Sequence, residues 1–215
     1  MLDLAFEVLG AEGCTHSASP QINLRVAITA RPATQAIDSI LLRSIVRIQA
    51  GSRSHSPEER ARLKELFGDE SLWGRGSHSL IWAQATTVVS RFQGSTEVEV
   101  TLPCSYDLAA TASKYLRAVH SGHVPVTVQL SGTVFYATGA GLQVTQIPWN
   151  QEATHALPVP LFRQAIEQHF PDAGVLSLRH DLFARLDRYR VAHGLATWDR
   201  AIEQLLTHYD DGDLA

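Results

Sequence analysis

Two pairs of metal-ligating side chains are the first residues of this sequence whose types and spacing could carry chemistry. His120 and His123 stand three apart, and Cys14 and His16 stand two apart. Residues three apart on a continuous helix could share a metal, but Gly122 ends the predicted helix between the two histidines. A histidine in a last helical turn also interacts with the helix dipole without any metal. We therefore interpret all four side chains as weak metal candidates and expect no cofactor.

Cys104 is the strongest candidate for a reactive group. It lies between Pro103 and a helix predicted over 106–121, where backbone N–H groups and the helix dipole would stabilise a thiolate. The alternative is a small apolar side chain at the end of a strand, because free cysteines are among the most buried residues. The sequence has two cysteines, which excludes a disulfide scaffold and a four-cysteine zinc site and fits a reducing cytoplasm.

Recognisable catalytic signatures are absent from the sequence. It contains no Gly-x-Ser-x-Gly elbow, no phosphate-binding Gly-x-x-x-x-Gly-Lys and no His-Glu-x-x-His. Apart from the weak candidate Cys104, we therefore assign no catalytic residue, and the pattern favours a protein that is not an enzyme.

Tryptophan and proline indicate where a partner could bind. Pro148 and Trp149 leave a predicted hairpin, and Trp73 lies in a polar, glycine-rich loop over 69–79. Trp149 either fills a seam between sheet and helices or stands on a rigid, proline-flanked loop as an anchor for a protein partner. We treat Pro148, Trp149 and Trp73 as candidate partner-binding residues.

Alternating apolar residues predict the elements that position these side chains. Leu4, Phe6 and Val8 form one face of a first strand, and further strands follow the same period. These are predicted near 22–28, 38–50, 80–92, 95–103, 124–136 and 142–147. The last two form a hairpin through the turn at 138–141.

Helical signals interrupt and then follow the strands. Ser56, Pro57 and Glu59 predict a capped helix that stops at Gly68, and Asp107 is the predicted N-cap of the 106–121 helix. Three more helices are expected from Pro160 to Pro171, over 178–192 and after Thr197.

Strands first and helices last predict an α+β fold. We expect an antiparallel β-sandwich-like sheet of seven or eight strands with a C-terminal helical segment. Residues 1–157 would form the β-rich domain with two inserted helices. Residues 158–215 would be the helical segment, packed on it or beside it.

Net charge and length limit the classes of partner that this chain is expected to bind. The 215 residues carry 18 basic and 22 acidic side chains, a formal net charge of −4, which offers no basic field for nucleic acid or anionic lipid. The N-terminus does not resemble a secretory signal, and no apolar run is long enough for a membrane helix. We expect a cytoplasmic protein that binds protein, and neither nucleic acid nor membrane.

Short motifs along nearly the whole chain resemble an uncharacterised bacterial family. They are Phe-Gly at 67–68, Trp-Gly at 73–74, Phe-x-Gly-Ser-Thr-Glu-Val at 92–98, Pro-Cys-Ser-Tyr-Asp at 103–107, Lys-Tyr at 114–115, Val-Pro-Val at 124–126, Ser-Gly-Thr-Val-Phe-Tyr at 131–136, Gly-Leu-Gln-Val at 141–144 and Ile-Pro-Trp at 147–149. That family resembles proteins encoded beside actinobacterial-type, high-affinity nickel-iron hydrogenases. The resemblance implies a non-catalytic accessory or assembly protein whose partner is a hydrogenase subunit or maturation factor.

Two alternatives stand beside this hypothesis. One is a metal carrier or thiol-dependent enzyme that uses Cys104 or the His120 and His123 pair. The other is a holding chaperone, since the order of strands, the Pro-Cys segment and the Gly-x-x-Pro restart at 122–125 resemble SecB-type export chaperones. A holding chaperone would need an exposed apolar groove.

Overall fold

A computed structural model describes residues 2–68, 73, 79–104, 111–171 and 177–210. The chain divides into two compact units, Met1–Val175 and Leu176–Ala215. Within the described residues, eight strands form two antiparallel sheets and five α-helices accompany them, which confirms the predicted α+β class. The strands are β1 (Asp3–Gly13), β2 (Gln21–Arg31), β3 (Ala36–Gln49), β4 (Ser79–Val89), β5 (Phe92–Gln93), β6 (Ser95–Pro103), β7 (His123–Thr138) and β8 (Gly141–Pro158). The helices are α1 (Pro57–Phe67), α2 (Thr111–Ala118), α3 (Val159–His169), α4 (His180–Ala192) and α5 (Trp198–Asp210).

The two sheets of the first unit enclose one hydrophobic core. The first sheet has the order β1-β2-β6, and the second has the order β4-β3-β7-β8, with β5 paired to β3. Alternation along each strand places one face in the core, so that Ile22, Leu24 and Ile28 of β2 meet Leu42 and Ile48 of β3 in one cluster. The period-2 pattern therefore identified the buried faces of β2 and β3 correctly.

The hairpin of β7 and β8 is longer than the sequence predicted. Pairing runs from Thr138 and Gly141 at the turn to His123 and Pro158 at the far end. The expectation that the chain leaves the sheet at Ile147 is therefore wrong. Strand β8 continues because the first half of β7 still offers backbone groups to pair with, and Leu157 supplies a fully buried core side chain.

Helix α1 begins and ends as its capping signals predict. Ser56 accepts a hydrogen bond from the Glu59 amide, the Glu59 carboxylate accepts one from the Ser56 amide, and Gly68 follows the last turn with φ of 72°. In α2, Tyr115 and Leu116 are buried as expected. The predicted N-cap Asp107 lies outside the described residues.

Helix α3 belongs to the first unit, although the sequence analysis grouped it with the C-terminal helices. Its side chains Phe162, Ala165 and Ile166 are buried in the core of the first unit, and it packs against β1 and β2. The second unit contains α4 and α5, with the Thr197 hydroxyl accepting a hydrogen bond from the Arg200 amide at 3.3 Å. None of the helices in the described chain is both long enough and apolar enough to cross a membrane.

Candidate functional site

A β-bulge in β8 presents Trp149 to solvent. Leu130 pairs with Gln151 and Gly132 pairs with Ile147, so residues 148–150 have Ser131 alone opposite them. Pro148 cannot donate a ladder hydrogen bond, which favours a bulge at this point. The Gln129 side chain donates to the Trp149 carbonyl at 3.0 Å, and the Trp149 side chain remains 77% exposed. The tryptophan predicted on a loop thus stands in a bulge within strand β8.

Gly132 permits a close backbone approach next to the bulge. Its φ is 147°, and a Cβ atom at this position would collide with the Leu41 carbonyl oxygen of β3. Only glycine allows β3 and β7 to pair this closely with that backbone conformation. Gly132 therefore sets the shape of the sheet beneath Trp149.

Two depressions flank the bulge. A cavity of about 450 Å³ lies beside Trp149 and is lined by side chains that include Leu41, Arg43 and Gln146. A second cavity, of about 250 Å³, lies where Leu2, which precedes β1, and Leu4 of β1 approach the same segment of β8. Gln146, Ile147 and Pro148 line both cavities, and Trp149 lines the larger of the two.

Exposed apolar side chains extend from the bulge across the outer face, by which we mean the face of the second sheet turned away from the core. Leu41 and Val88 are register partners on β3 and β4, and Val144 of β8 pairs with Phe135 of β7. Apolar surface exposed on one face of a sheet is typical of protein interaction sites. The large apolar side chains exposed there are Leu41, Ile81, Val88, Leu142, Val144 and Trp149.

Trp73 has a different environment from Trp149. Its indole N–H donates to the Gly68 carbonyl at 3.1 Å, and its ring meets Phe67 edge-on at 5.5 Å. His55 lies 6.1 Å from the same ring and 5.8 Å from Tyr115, whose hydroxyl is 3.0 Å from the His55 Nε2. Trp73 therefore helps to cover the end of α1 and is a poorer candidate anchor than Trp149.

Cys104 is buried at the end of β6. Its Sγ faces the Leu102 carbonyl at 3.9 Å, its amide donates to the Pro20 carbonyl at 2.9 Å, and burial raises the pKa of its thiol to about 12. The helix residues expected to stabilise a thiolate, 105–110, lie outside the described residues. This environment matches the buried strand-end cysteine and disfavours a nucleophile.

His120 and His123 take part in structural hydrogen bonds. The Arg163 guanidinium donates to the His120 Nδ1 at 2.6 Å and to the Val119 carbonyl at 3.0 Å, and Arg53 donates to the His123 carbonyl at 3.1 Å. The Arg163 contact occupies the Nδ1 of His120, and the Arg53 contact involves the backbone carbonyl of His123, so neither contact brings the two imidazoles together as a ligand pair.

Cys14 and His16 also lack a complete ligand set. The Thr15 hydroxyl lies 2.7 Å from the His16 Nδ1. Among the residues that the structure describes, no group of three or more His, Cys, Asp or Glu side chains could hold a metal ion.

The buried carboxylate of Glu59 contacts several of these segments. The sequence analysis did not predict these tertiary contacts. Glu59 is 3% exposed and accepts hydrogen bonds from Arg53 at 2.7 Å, from the His120 amide at 2.8 Å and from the Ser56 amide at 3.1 Å. Burial alone would raise the pKa of Glu59, but the His120 and Ser56 amides together with Arg53 outweigh it and lower that pKa. The capping pattern pointed to Glu59, whereas nothing in the sequence pointed to Arg53 or His120 as its partners. Glu59 therefore links α1 to Arg53 before it and to His120 after α2, and we call this group of contacts the Glu59 clamp.

These features define a class: an α+β protein in which two antiparallel sheets share one core and one sheet exposes an apolar outer face. The chain belongs to a family of unknown function, DUF6084, whose profile matches residues 1–213. The match supports the resemblance to an uncharacterised family, assigns no activity and makes no connection to hydrogenases. Among curated proteins, none matches the chain significantly.

Solved structures with some similarity include two β-glucosidases. β-Glucosidase 3B from Thermotoga neapolitana, in complex with α-D-glucose, is 10% identical with a TM-score of 0.26, over 72% of this chain and 17% of that chain. A β-glucosidase from Kluyveromyces marxianus is 8% identical with a TM-score of 0.27, over 73% of this chain and 15% of that chain. The chain thus spans a small part of either protein, and these low TM-scores support no conclusion about its fold or activity.

Proposed function

We propose that this chain is a non-catalytic accessory protein that binds a protein partner on the outer face, with Trp149 as the anchor. The observation that carries the proposal is the exposed Trp149 in the bulge of β8, beside a cavity of about 450 Å³ on the outer face. Tryptophan is enriched among the residues that dominate binding energy, and a preorganised side chain loses little entropy on binding.

The surroundings of Trp149 support a protein partner over a small molecule. The cavity beside it is partly open to solvent on a sheet face, and the exposed apolar side chains of that face spread over several strands. Small-molecule sites instead enclose most of their ligand. The buried thiol of Cys104, with its raised pKa, speaks against the thiol-enzyme alternative.

The finer part of the proposal concerns the partner. The resemblance described above implies a nickel-iron hydrogenase subunit or maturation factor, and this assignment rests on that resemblance alone. A tagged full-length chain purified from a native host tests it by quantitative mass spectrometry of the proteins that co-purify.

The pull-down uses three forms of the protein: wild type, Trp149→Ala and Leu9→Ala. Leu9 is an exposed apolar residue of β1, so its replacement controls for general loss of apolar surface. We expect a hydrogenase component with wild type and Leu9→Ala, and about 30-fold weaker binding with Trp149→Ala, as for loss of an interface hot spot of about 2 kcal/mol.

The experiment tests the binding face and the identity of the partner separately. A partner from another system that depends on Trp149 would overturn the hydrogenase assignment and keep the binding face. Partners that bind Trp149→Ala as well as wild type would overturn the binding face itself.

The apolar outer face also supports the holding-chaperone alternative. A holdase binds many unfolded chains through broad apolar surface, so it would suppress aggregation of an unrelated unfolding protein. A specific accessory protein would not, and a light-scattering assay with reduced, unfolding client protein distinguishes the two.

A further inference from the structure

Arg43 carries an unpaired positive charge in the cavity beside Trp149. It is an exposed residue of β3, and its register partners are the neutral residues Thr86 of β4 and Ser131 of β7. Among the residues that the structure describes, Arg43 makes neither an ion pair nor a side-chain hydrogen bond. Its guanidinium can therefore bind a group from another molecule.

Two other arginines of the sheet region have acidic partners. Arg25 on β2 lies 3.8 Å from the Glu97 carboxylate, and Arg91 lies 3.7 Å from that of Asp38. By contrast, Arg43 alone is charged among the described residues that line its cavity. The fold thus places an acidic side chain beside each of the first two arginines and none beside Arg43.

A carboxylate is the group that best matches this guanidinium. Arginine and carboxylate are both planar and form two parallel hydrogen bonds, which fix orientation as well as add binding energy. Polyanions such as nucleic acid bind to clusters of positive charge, whereas the other residues that line this cavity are neutral.

Apolar residues adjoin Arg43 on the same face. Leu41 stands two residues before it on β3, which is about 7 Å along a strand, and Val88 is the register partner of Leu41. Trp149 lines the same cavity as Leu41 and Arg43. A single short segment of a partner can therefore contact the charge and the apolar surface together.

The outer face of the first sheet has the opposite charge. Glu7 and Glu12 of β1 and Glu97 and Glu99 of β6 are exposed there, on the two strands that flank β2. An acidic segment is repelled by this face and attracted to the face that carries Arg43. The charge distribution of the first unit therefore favours one of its two sheet faces for such a partner.

We propose that the partner segment bound by the outer face is a peptide that combines apolar side chains with an aspartate or glutamate. Its carboxylate pairs with Arg43, and its apolar side chains cover Leu41 and Trp149. This inference rests on the proposed function, because it assigns the chemistry of the partner at the same site.

Peptide display with the purified full-length chain tests this inference. The probe is a library of short random peptides, selected in parallel against wild type, Arg43→Gln, Trp149→Ala and Arg25→Gln. Arg25→Gln is the matched control, because Arg25 is also an exposed strand arginine and its replacement changes the net charge equally. A peptide selected by wild type is then synthesised in its acidic form and with the corresponding amide, Asn or Gln, and calorimetry measures both affinities.

We expect wild type and Arg25→Gln to select peptides in which Asp or Glu adjoins apolar residues. The acidic peptide should bind wild type at least about tenfold more tightly than the amide peptide, as for one charge-assisted hydrogen bond. Arg43→Gln should bind both peptides equally, and Trp149→Ala should bind both weakly.

The outcomes distinguish this inference from the proposed function. A wild-type selection without Asp or Glu, or a preference for the acidic peptide that persists in Arg43→Gln, would overturn the pairing with Arg43. If Trp149→Ala still lost affinity in that case, the binding face would stand. Peptides that depend on Arg43 but bind Trp149→Ala as tightly as wild type would support the pairing and overturn Trp149 as the anchor. Failure of wild type to select any peptide would overturn this inference.

Discussion

Gly132 shows how one residue can determine the shape of a surface. The backbone at this position has φ of 147° and touches the Leu41 carbonyl, so no side chain fits. We expect Gly132→Ala to lower the free energy of unfolding by about 3 kcal/mol, because it adds both a strained φ and a steric clash.

Urea unfolding measures this effect, with Gly139→Ala as the control. A Cβ atom at Gly139 would meet no atom within 4 Å, so the control should change stability by less than about 0.5 kcal/mol. Equal effects of the two substitutions would contradict the close approach.

Cys104 should behave as a buried apolar side chain. Because burial raises its thiol pKa to about 12, almost no thiolate forms near neutral pH. We expect iodoacetamide to modify the partly exposed Cys14 in the folded protein, and Cys104 only after unfolding in urea. Mass spectrometry of labelled peptides checks this, and labelling of Cys104 at the rate of Cys14 would restore the reactive-cysteine hypothesis.

Among single residues, the sequence singled out Trp149 but left open whether it fills a seam between sheet and helices or stands exposed. The structure shows it exposed, and its role in binding stays a prediction. The bulge that holds it depends on the register between β7 and β8, which a one-strand pattern does not contain. The Glu59 clamp is harder to foresee, because Arg53 and His120 reach it only through the tertiary fold.

At the scale of elements, the α1 capping box makes a measurable contribution. The Ser56 hydroxyl accepts the Glu59 amide at 3.2 Å. We expect Ser56→Ala to lower the free energy of unfolding by about 1 kcal/mol, since an orphan amide of the first turn loses its partner.

Ser54→Ala is the control for this prediction. Ser54 is exposed and makes no hydrogen bond within the described residues, so its replacement should leave the urea midpoint nearly unchanged. A Ser56→Ala midpoint that equals the Ser54→Ala midpoint would show that the cap contributes nothing.

Elements with strong local signals were predicted well, and elements that depend on a distant partner were not. The alternation in β2 and β3 and the caps of α1 and α5 are local properties of the sequence. The second half of β8 alternates weakly, and it is a strand because β7 lies beside it. Helix α3 likewise joins the first unit because a core there accepts Phe162.

At the scale of the whole molecule, two half-buried histidines should make stability depend on pH. Burial lowers the pKa of His55, assisted by Arg53, and burial lowers the pKa of His155, assisted by His123. The unfolded chain therefore binds protons more readily than the folded protein just below the ordinary histidine pKa of about 6.5.

The expected consequence is that stability falls as the pH decreases from about 7.5 to 5.5. Urea midpoints across this range measure the loss, and the double variant His55→Gln with His155→Gln should show a smaller loss than wild type. Replacing the exposed His16 by glutamine is the control and should retain the wild-type slope. If the urea midpoint of the double variant fell as steeply with decreasing pH as that of wild type, the pH dependence would not come from His55 and His155.

The sequence by itself determined the α+β class, the buried faces of β2 and β3, the capped helix α1 and the absence of a recognisable catalytic motif. These follow from period, capping and residue type, which act within a few neighbouring residues. The tertiary structure decided that β8 continues past a bulge, that Cys104 is buried and that Trp149 lies exposed beside a cavity. Those outcomes depend on strand register and on packing between distant segments, and the free energy that selects them comes from contacts absent in any local window.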